Sequence, residues 1–346
     1  MATDLTRVAY DAELRPGAAS AVFTCLNVKP GEKVVLITDL GSLPIGAALL
    51  EQLRAARADV ASFVLEDVAA RPLTAFPEPI ALALEGAAVS CFTAGARPGE
   101  LKARIAMTSI VNAHRIRHAH MVNITPRIMR EGMRADFLKV DALSRWVLER
   151  VRGARELTAS TPAGTRLTAT FSPSIRWLKT SGIISPEKWA NLPGGEVLTA
   201  PARVDGRFVA DGVLGDWLAP KYGDMRGYPL TVEIEASRIR EVQCERAEIR
   251  ADFEAYTSTD GNSSRVGELA LGTNLAVTDV IGQILQDEKI PGLHIAFGHP
   301  YSEHTGADWS SSTHIDVVGR HFDVDVDGAP LMRDSRFLVD YDSLVS

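Results

Sequence analysis

Residues 33–39, KVVLITD, form a short β-branched run that closes in the turn LGSLP. IGAALLEQLRAARA (45–58) follows with its apolar positions at helical spacing, and DVASFVLED (59–67) returns to strand character. Strand, helix and strand in so short a span predict a βαβ unit and parallel pairing, because the crossover needs a helix. AAVSCFTAG (87–95) and HMVNITP (120–126) predict further strands, and DFLKVDALSRWVLERVRGA (136–154) a helix. Together these make an α/β domain over 1–152. The turn TDLGSLPIGAALL lacks both GxGxxG and GKS/T spacing, so it reads as a plain strand-to-helix turn and not as a phosphate loop.

After residue 155 the texture changes. Short alternating stretches (ELTASTP, TRLTATFS, EVLTAP, GRFVADGVLG, LTVEIEASRIREVQ, THIDVVG) are punctuated by Gly, Pro and Asn, as antiparallel hairpins require. LALGTNLAVTDVIGQILQDEK (269–289) interrupts them and predicts a helix. Residues 153–346 therefore read as a β-rich α+β domain. No internal repeat or low-complexity tract is present.

Composition narrows the function classes. The 346 residues are 46% hydrophobic and 23% charged, which allows a sizeable core. The net charge of -7 and the absence of basic clusters with interleaved aromatics argue against nucleic acid as a partner. The one basic run, HRIRHAH (114–120), is short and lies in an apolar setting. No apolar run reaches the ~18 residues of a membrane span, and the polar N-terminus does not read as a secretion signal. Three distant cysteines, Cys25, Cys91 and Cys244, fit a reducing compartment, so the expected location is the cytoplasm.

Candidate chemistry gathers near the C-terminus. Five of the eight histidines (His294, His299, His304, His314, His321) fall within 293–328, interspersed with carboxylates. In a strand, His314 and Asp316 of THIDVVG share one face while Ile315 and Val317 point to the other. Imidazole and carboxylate held together in this way suit a borderline divalent cation. The H-x-D pair alone is also what an ordinary polar surface shows. LHIAFG (293–298) sets a histidine on an apolar strand, where a packed core residue is the plainer reading, unless the two strands are neighbours. Glu196 follows the turn of NLPGGEVLTAP. Glu268, in SRVGELALGTN, stands where the apolar helix-like run begins, and a first-turn helix charge would explain it equally well. VDVDGAP (324–330) lacks the spacing and distal glutamate of a calcium loop and reads as a turn.

NLPGGEVLTAP, GELALGTN, HIAFGHPY and THIDVVG, in this order, resemble the motifs of the thermophilic-type metalloaminopeptidases, the aminopeptidase T and S group. The resemblance covers roughly 190–320. By position it implies metal binding by Glu196, Glu268, His294, Tyr301, His314 and Asp316, with Glu268 bridging and both Glu268 and Tyr301 in catalytic roles. It leaves His299, His304 and His321 outside. The implied activity is a metal-dependent hydrolase, in which metal-activated water attacks an amide or C–N bond of a substrate with a free amine. One or two divalent ions (manganese, zinc or cobalt) and a homodimer are implied with it.

Two departures bear on specificity. Gly194-Gly195 stands where the family has an acid before the glutamate, and SEHTGADWSSST (302–313) is shorter than in the peptidases. That loop carries His304, Asp308 and Trp309, which are candidates for substrate binding or simply a solvated loop. Relatives of this group process small aromatics: ferrous dihydroxypyridine ring-opening dioxygenases and manganese-dependent aminohydrolases. His294, His314 and Asp316 alone would satisfy a ferrous facial triad, whereas keeping Glu196 and Glu268 favours hydrolysis. The substrate is therefore a short peptide or a small aromatic. A noncatalytic metal-binding protein is the remaining class, disfavoured because the ligands are dispersed and structural sites close the coordination sphere.

Overall fold

The structure, a computed structural model, describes residues 3–187 and 189–345. The chain forms two compact units, one of residues 1–138 with 182–194, the other of 139–181 with 195–346.

The first unit is built on a five-stranded parallel sheet in the order Asp59–Val64, Lys33–Thr38, Val89–Phe92, Arg117–His120, Ala190–Asn191. The helix Leu43–Ala55 makes the first crossover and buries Ile45, Leu49, Leu50 and Leu53. One expected strand is displaced: of 120–126 only His120 lies in a strand, which runs Arg117–His120. The reason is that two of its inward residues are histidines, which do not register as apolar. His118 and His120 are buried. His118 Nδ1 lies 2.7 Å from Ser90 Oγ, and the His120 ring stacks on Phe92 with centroids 5.3 Å apart. Burial pushes both imidazoles far below their ordinary value, His120 to about 3, so they are neutral core residues. The second half of the basic run is thus taken up by packing, while His114 and Arg115 are exposed.

The second unit holds two antiparallel sheets. An eight-stranded sheet includes Glu156–Ser160, Arg166–Thr170, Arg203–Ala210 and Leu230–Glu235. A five-stranded sheet runs in the order His314–Val318, Gly292–Gly298, Val266–Gly272, Glu196–Thr199, Leu178–Thr180. Their apolar faces share one core: Leu157, Leu167, Val204 and Phe208 of the larger sheet cluster with Leu269, Leu271, Ile295, Phe297, Ile315 and Val317 of the smaller. Leu143, Val147 and Val151, from the helix Phe137–Val151, join the same core.

The helix expected over 269–289 is a misreading. Val266–Gly272 is a strand, buried at every position, and only Ile284–Asp287 is helical. A central strand buried on both faces shows a continuous apolar run, which periodicity cannot tell from a buried helix. Glu268 therefore sits within a strand and not at a helix N-terminus. Among the described residues no helix is long and apolar enough to cross a membrane, and the three cysteines are free.

Candidate metal centre

The register of the five-stranded sheet decides which side chains meet. Glu268 pairs with Ala296, and Ala296 with Asp316; His294 pairs with Ala270, Glu196 with Gly272, and His314 with Gly298. Directly paired residues share a face, as do residues two apart on one strand. Glu196, Glu268, His294, His314 and Asp316 consequently lie on one face, opposite the apolar core. The residues between them there include Ala270, Gly272, Ala296 and Gly298, which are small enough to leave the polar ends room.

One irregularity makes this possible. Val266 pairs with Phe297 while Glu268 pairs with Ala296, so Gly267 is an extra, bulged residue. Without the bulge, Glu268 would fall in line with Ile295 and point into the core. Gly267 also permits close approach, because a Cβ there would lie 2.2 Å from the Gly298 carbonyl oxygen.

Of the resulting cluster, Glu196, Glu268, His294 and Asp316 are buried and His314 is half-buried. His294 Nε2 faces Glu268 Oε1 at 3.5 Å, Glu196 Oε2 at 3.8 Å and Asp316 Oδ1 at 3.9 Å. His314 Nε2 lies 3.3 Å from Asp316 Oδ1 and 3.7 Å from Glu268 Oε2. Two ligand-like triads result, Glu196–Glu268–His294 and Glu268–His314–Asp316, with Glu268 in both. His314 Nδ1 is 2.9 Å from the His299 carbonyl oxygen. Donation there leaves the Nε2 lone pair facing the cluster, the usual outer support of a metal-binding histidine. Tyr301 lies beside His314, ring centroids 4.8 Å apart, and is 37% exposed. Its backbone is left-handed at φ 49°, and its N–H bonds to His299 Nδ1 at 3.0 Å. Burial and the facing carboxylates, led by Glu268 and Asp316, push its phenol well above the ordinary value.

Two residues here escape the sequence reading. Lys289 is 1% exposed, with Nζ 2.7 Å from Glu196 Oε1 and 2.5 Å from Glu288 Oε1. Burial alone would lower its pKa, but the two carboxylates more than offset that, and it is raised. Glu288 is raised to about 8 by burial, which outweighs the pull of Lys289, while Asp316 and Glu196 add to the rise. In sequence, Asp-Glu-Lys at the end of an apolar run looks like solvated charge, and nothing local marks it otherwise.

The 302–313 loop residues have other neighbours. His304 is exposed, at the end of the short helix Ser302–Thr305, and its carbonyl accepts from Arg176 at 2.8 and 2.6 Å. Asp308 is exposed, and Trp309 stacks under the Arg265 guanidinium, 4.2 Å from the ring centroid. Exposed His321 pairs with Asp334 at 2.7 Å.

Residues 146–329, more than half of the chain, match the family of thermophilic metalloproteases (M29). The chain belongs to this family. It is accordingly a metallohydrolase, with divalent metal as part of its chemistry. No curated protein sequence matches the chain. Among solved structures, wild-type AmpT from Thermus thermophilus is similar over 96% of this chain and 100% of its own, with 21% identity and a TM-score of 0.69. The 2,5-dihydroxypyridine dioxygenase from Pseudomonas putida KT2440 is similar over 97% of this chain and 100% of its own, with 16% identity and the same TM-score of 0.69. At these identities the likeness is one of fold.

The cluster suits the metal this family implies. His294 Nε2 is buried without a hydrogen-bond partner and faces three carboxylates, as a ligand nitrogen does in the absence of its ion. Without metal, a proton takes that part. Burial opposes a charge on His314, yet Asp316 and Glu268 prevail and push it up to about 10. Its pKa lies above the unfolded value, so its stabilising contribution is complete below about 6.5 and is lost as pH rises through about 10. Urea denaturation of the metal-free chain should therefore show stability falling across that window. A flat profile between pH 7 and 10 would count against this electrostatic picture.

Proposed function

We propose that this member of the family hydrolyses the amide bond next to a free amine, as an aminopeptidase acting on short peptides. The observation that carries the reading is the position of Glu268, shared between two imidazoles with Asp316 beside it, on a buried sheet face. The two triads that share Glu268, one with Glu196 and His294 and the other with His314 and Asp316, would hold the metal. When bound, a divalent ion supplies Lewis acidity toward the scissile carbonyl and makes a water acidic enough to attack near neutral pH. The surplus of carboxylates favours a substrate with a protonated amine. The Tyr301 hydroxyl would stabilise charge developing on the carbonyl oxygen. On that role, Tyr301→Phe should lower kcat roughly 10- to 100-fold with KM little changed; an unchanged kcat removes Tyr301 from the chemistry.

A second reading is chemistry on a small aromatic compound, as a deaminase or, with ferrous iron, a ring-cleaving dioxygenase. His294, His314 and Asp316 would serve as the facial triad, and the fold shared with the dihydroxypyridine dioxygenase keeps it in view. Glu268 between the two histidines argues for hydrolysis. The deciding assay offers the protein, reconstituted in turn with manganese, zinc, cobalt and ferrous iron, an amino-acid anilide and a hydroxylated pyridine. Anilide turnover supports the proposal; oxygen uptake with the pyridine and no anilide turnover replaces it with the second reading.

A further inference from the structure

His314 is the candidate ligand least fixed by its own sheet. Glu196, Glu268 and His294 stand on strands with a neighbour on each side, whereas His314 opens the outermost strand, His314–Val318. The His299 N–H donates to the Thr313 carbonyl at 2.6 Å, so these two residues form a bonded pair, and His314 with Gly298 forms the next, non-bonded one. The His314 N–H and C=O therefore point away from the sheet, where an edge strand leaves such groups without a ladder partner. Farther along the same edge the gap is closed by backbone, since Val318 bonds to Gly212 and Val213.

At His314 a single side chain takes that place. Tyr256 Oη donates to the His314 carbonyl at 3.1 Å and accepts from its N–H at 3.4 Å. Tyr256 ends the helix Ala247–Tyr256, and its ring stacks on Trp217 with centroids 5.5 Å apart. The residues after it hold the approach to His314. Asn262 Nδ2 donates to the Ser310 carbonyl at 2.9 Å, and Asp260 accepts from Ser311 Oγ at 3.0 Å. Asp260 also accepts from the N–H and hydroxyl of Ser312, each at 2.7 Å, and Thr313 Oγ1 donates to Ser263 Oγ at 2.8 Å. Every residue from 310 to 314 is thus bonded to the segment 256–263. We propose that Tyr256 is a positioning residue of the metal centre, supported by Asp260: it fixes the backbone of His314, while the His299 carbonyl fixes the ring through Nδ1. This rests on reading the cluster as a metal centre with His314 as a ligand, and it concerns what holds that ligand in place.

The test is titration of the metal-free full chain with cobalt, followed by the visible absorption of the bound ion. Tyr256→Phe keeps the ring on Trp217 and removes only the oxygen. It should bind cobalt about 10- to 100-fold more weakly than wild type, the usual loss when an outer partner of a metal ligand is removed. His314→Ala should lose at least as much, and wild-type affinity in that variant would overturn the proposal by removing His314 from the ligands. A purely structural Tyr256 would lower the unfolding temperature of the metal-free chain and leave the cobalt affinity of the folded chain unchanged, which also overturns it. No cobalt binding by wild type would overturn the metal centre itself. Should Tyr256→Phe fail to fold, Asp260→Asn decides by the same titration: weaker binding supports the proposal, and wild-type affinity overturns it.

Discussion

Glu268→Ala should reduce turnover by about a thousandfold or more while the chain stays folded. The carboxylate belongs to both candidate triads and faces both imidazoles, at 3.5 and 3.7 Å. Removing it opens the coordination sphere on the side common to His294 and His314. A thousandfold loss corresponds to roughly 4 kcal/mol of transition-state stabilisation, within the several kcal/mol that a polarising ion supplies. Stability of the metal-free form should change little, because deleting the carboxylate relieves repulsion from Glu196 and Asp316 while removing its attraction for the imidazoles of His294 and His314. Steady-state kinetics with thermal unfolding of the metal-free variant checks both halves. Full activity in Glu268→Ala would remove this residue from the site.

Gly267→Ala should damage both stability and activity, although residue 267 is not among the candidate ligands. The added methyl would lie 2.2 Å from the Gly298 carbonyl oxygen and 3.0 Å from that of His299, both backbone atoms of the neighbouring segment. The strands must separate or the bulge must move. Overpacking of this kind costs about 1–3 kcal/mol, or roughly 3–10 °C in Tm for a unit of this size. Moving the bulge also re-aims Glu268, and a 1 Å displacement of a catalytic group can cost about a hundredfold in rate. Thermal unfolding and kinetics of this variant should therefore both change. Wild-type kinetics in Gly267→Ala would mean that the bulge does not set the position of Glu268.

How much of this was legible depends on whether local pattern and burial agree. The first βαβ unit was readable because Val34, Val35, Leu36 and Ile37 are apolar as well as buried. The strand Arg117–His120 was placed late because His118 and His120 are buried by stacking and hydrogen bonding that no local pattern announces. In the second unit, alternation along His314–Val318 correctly separated His314 and Asp316 from Ile315 and Val317. Alternation fails for Val266–Gly272, where both faces are covered. The bulge at Gly267 is a relation between two strands and has no signature in either. Lys289 was invisible for a similar reason: its partner Glu196 is 93 positions away in the chain, and only the folded sheet brings them together.

The most direct test of the metal centre is an anomalous difference map from crystals of the chain loaded with zinc. The account predicts a peak at this sheet face about 2.0–2.1 Å from His294 Nε2 or His314 Nε2, the imidazoles of the two triads, with a Glu268 oxygen in the same coordination sphere. A peak that touches neither histidine, or none at this sheet face in an active preparation, would contradict it.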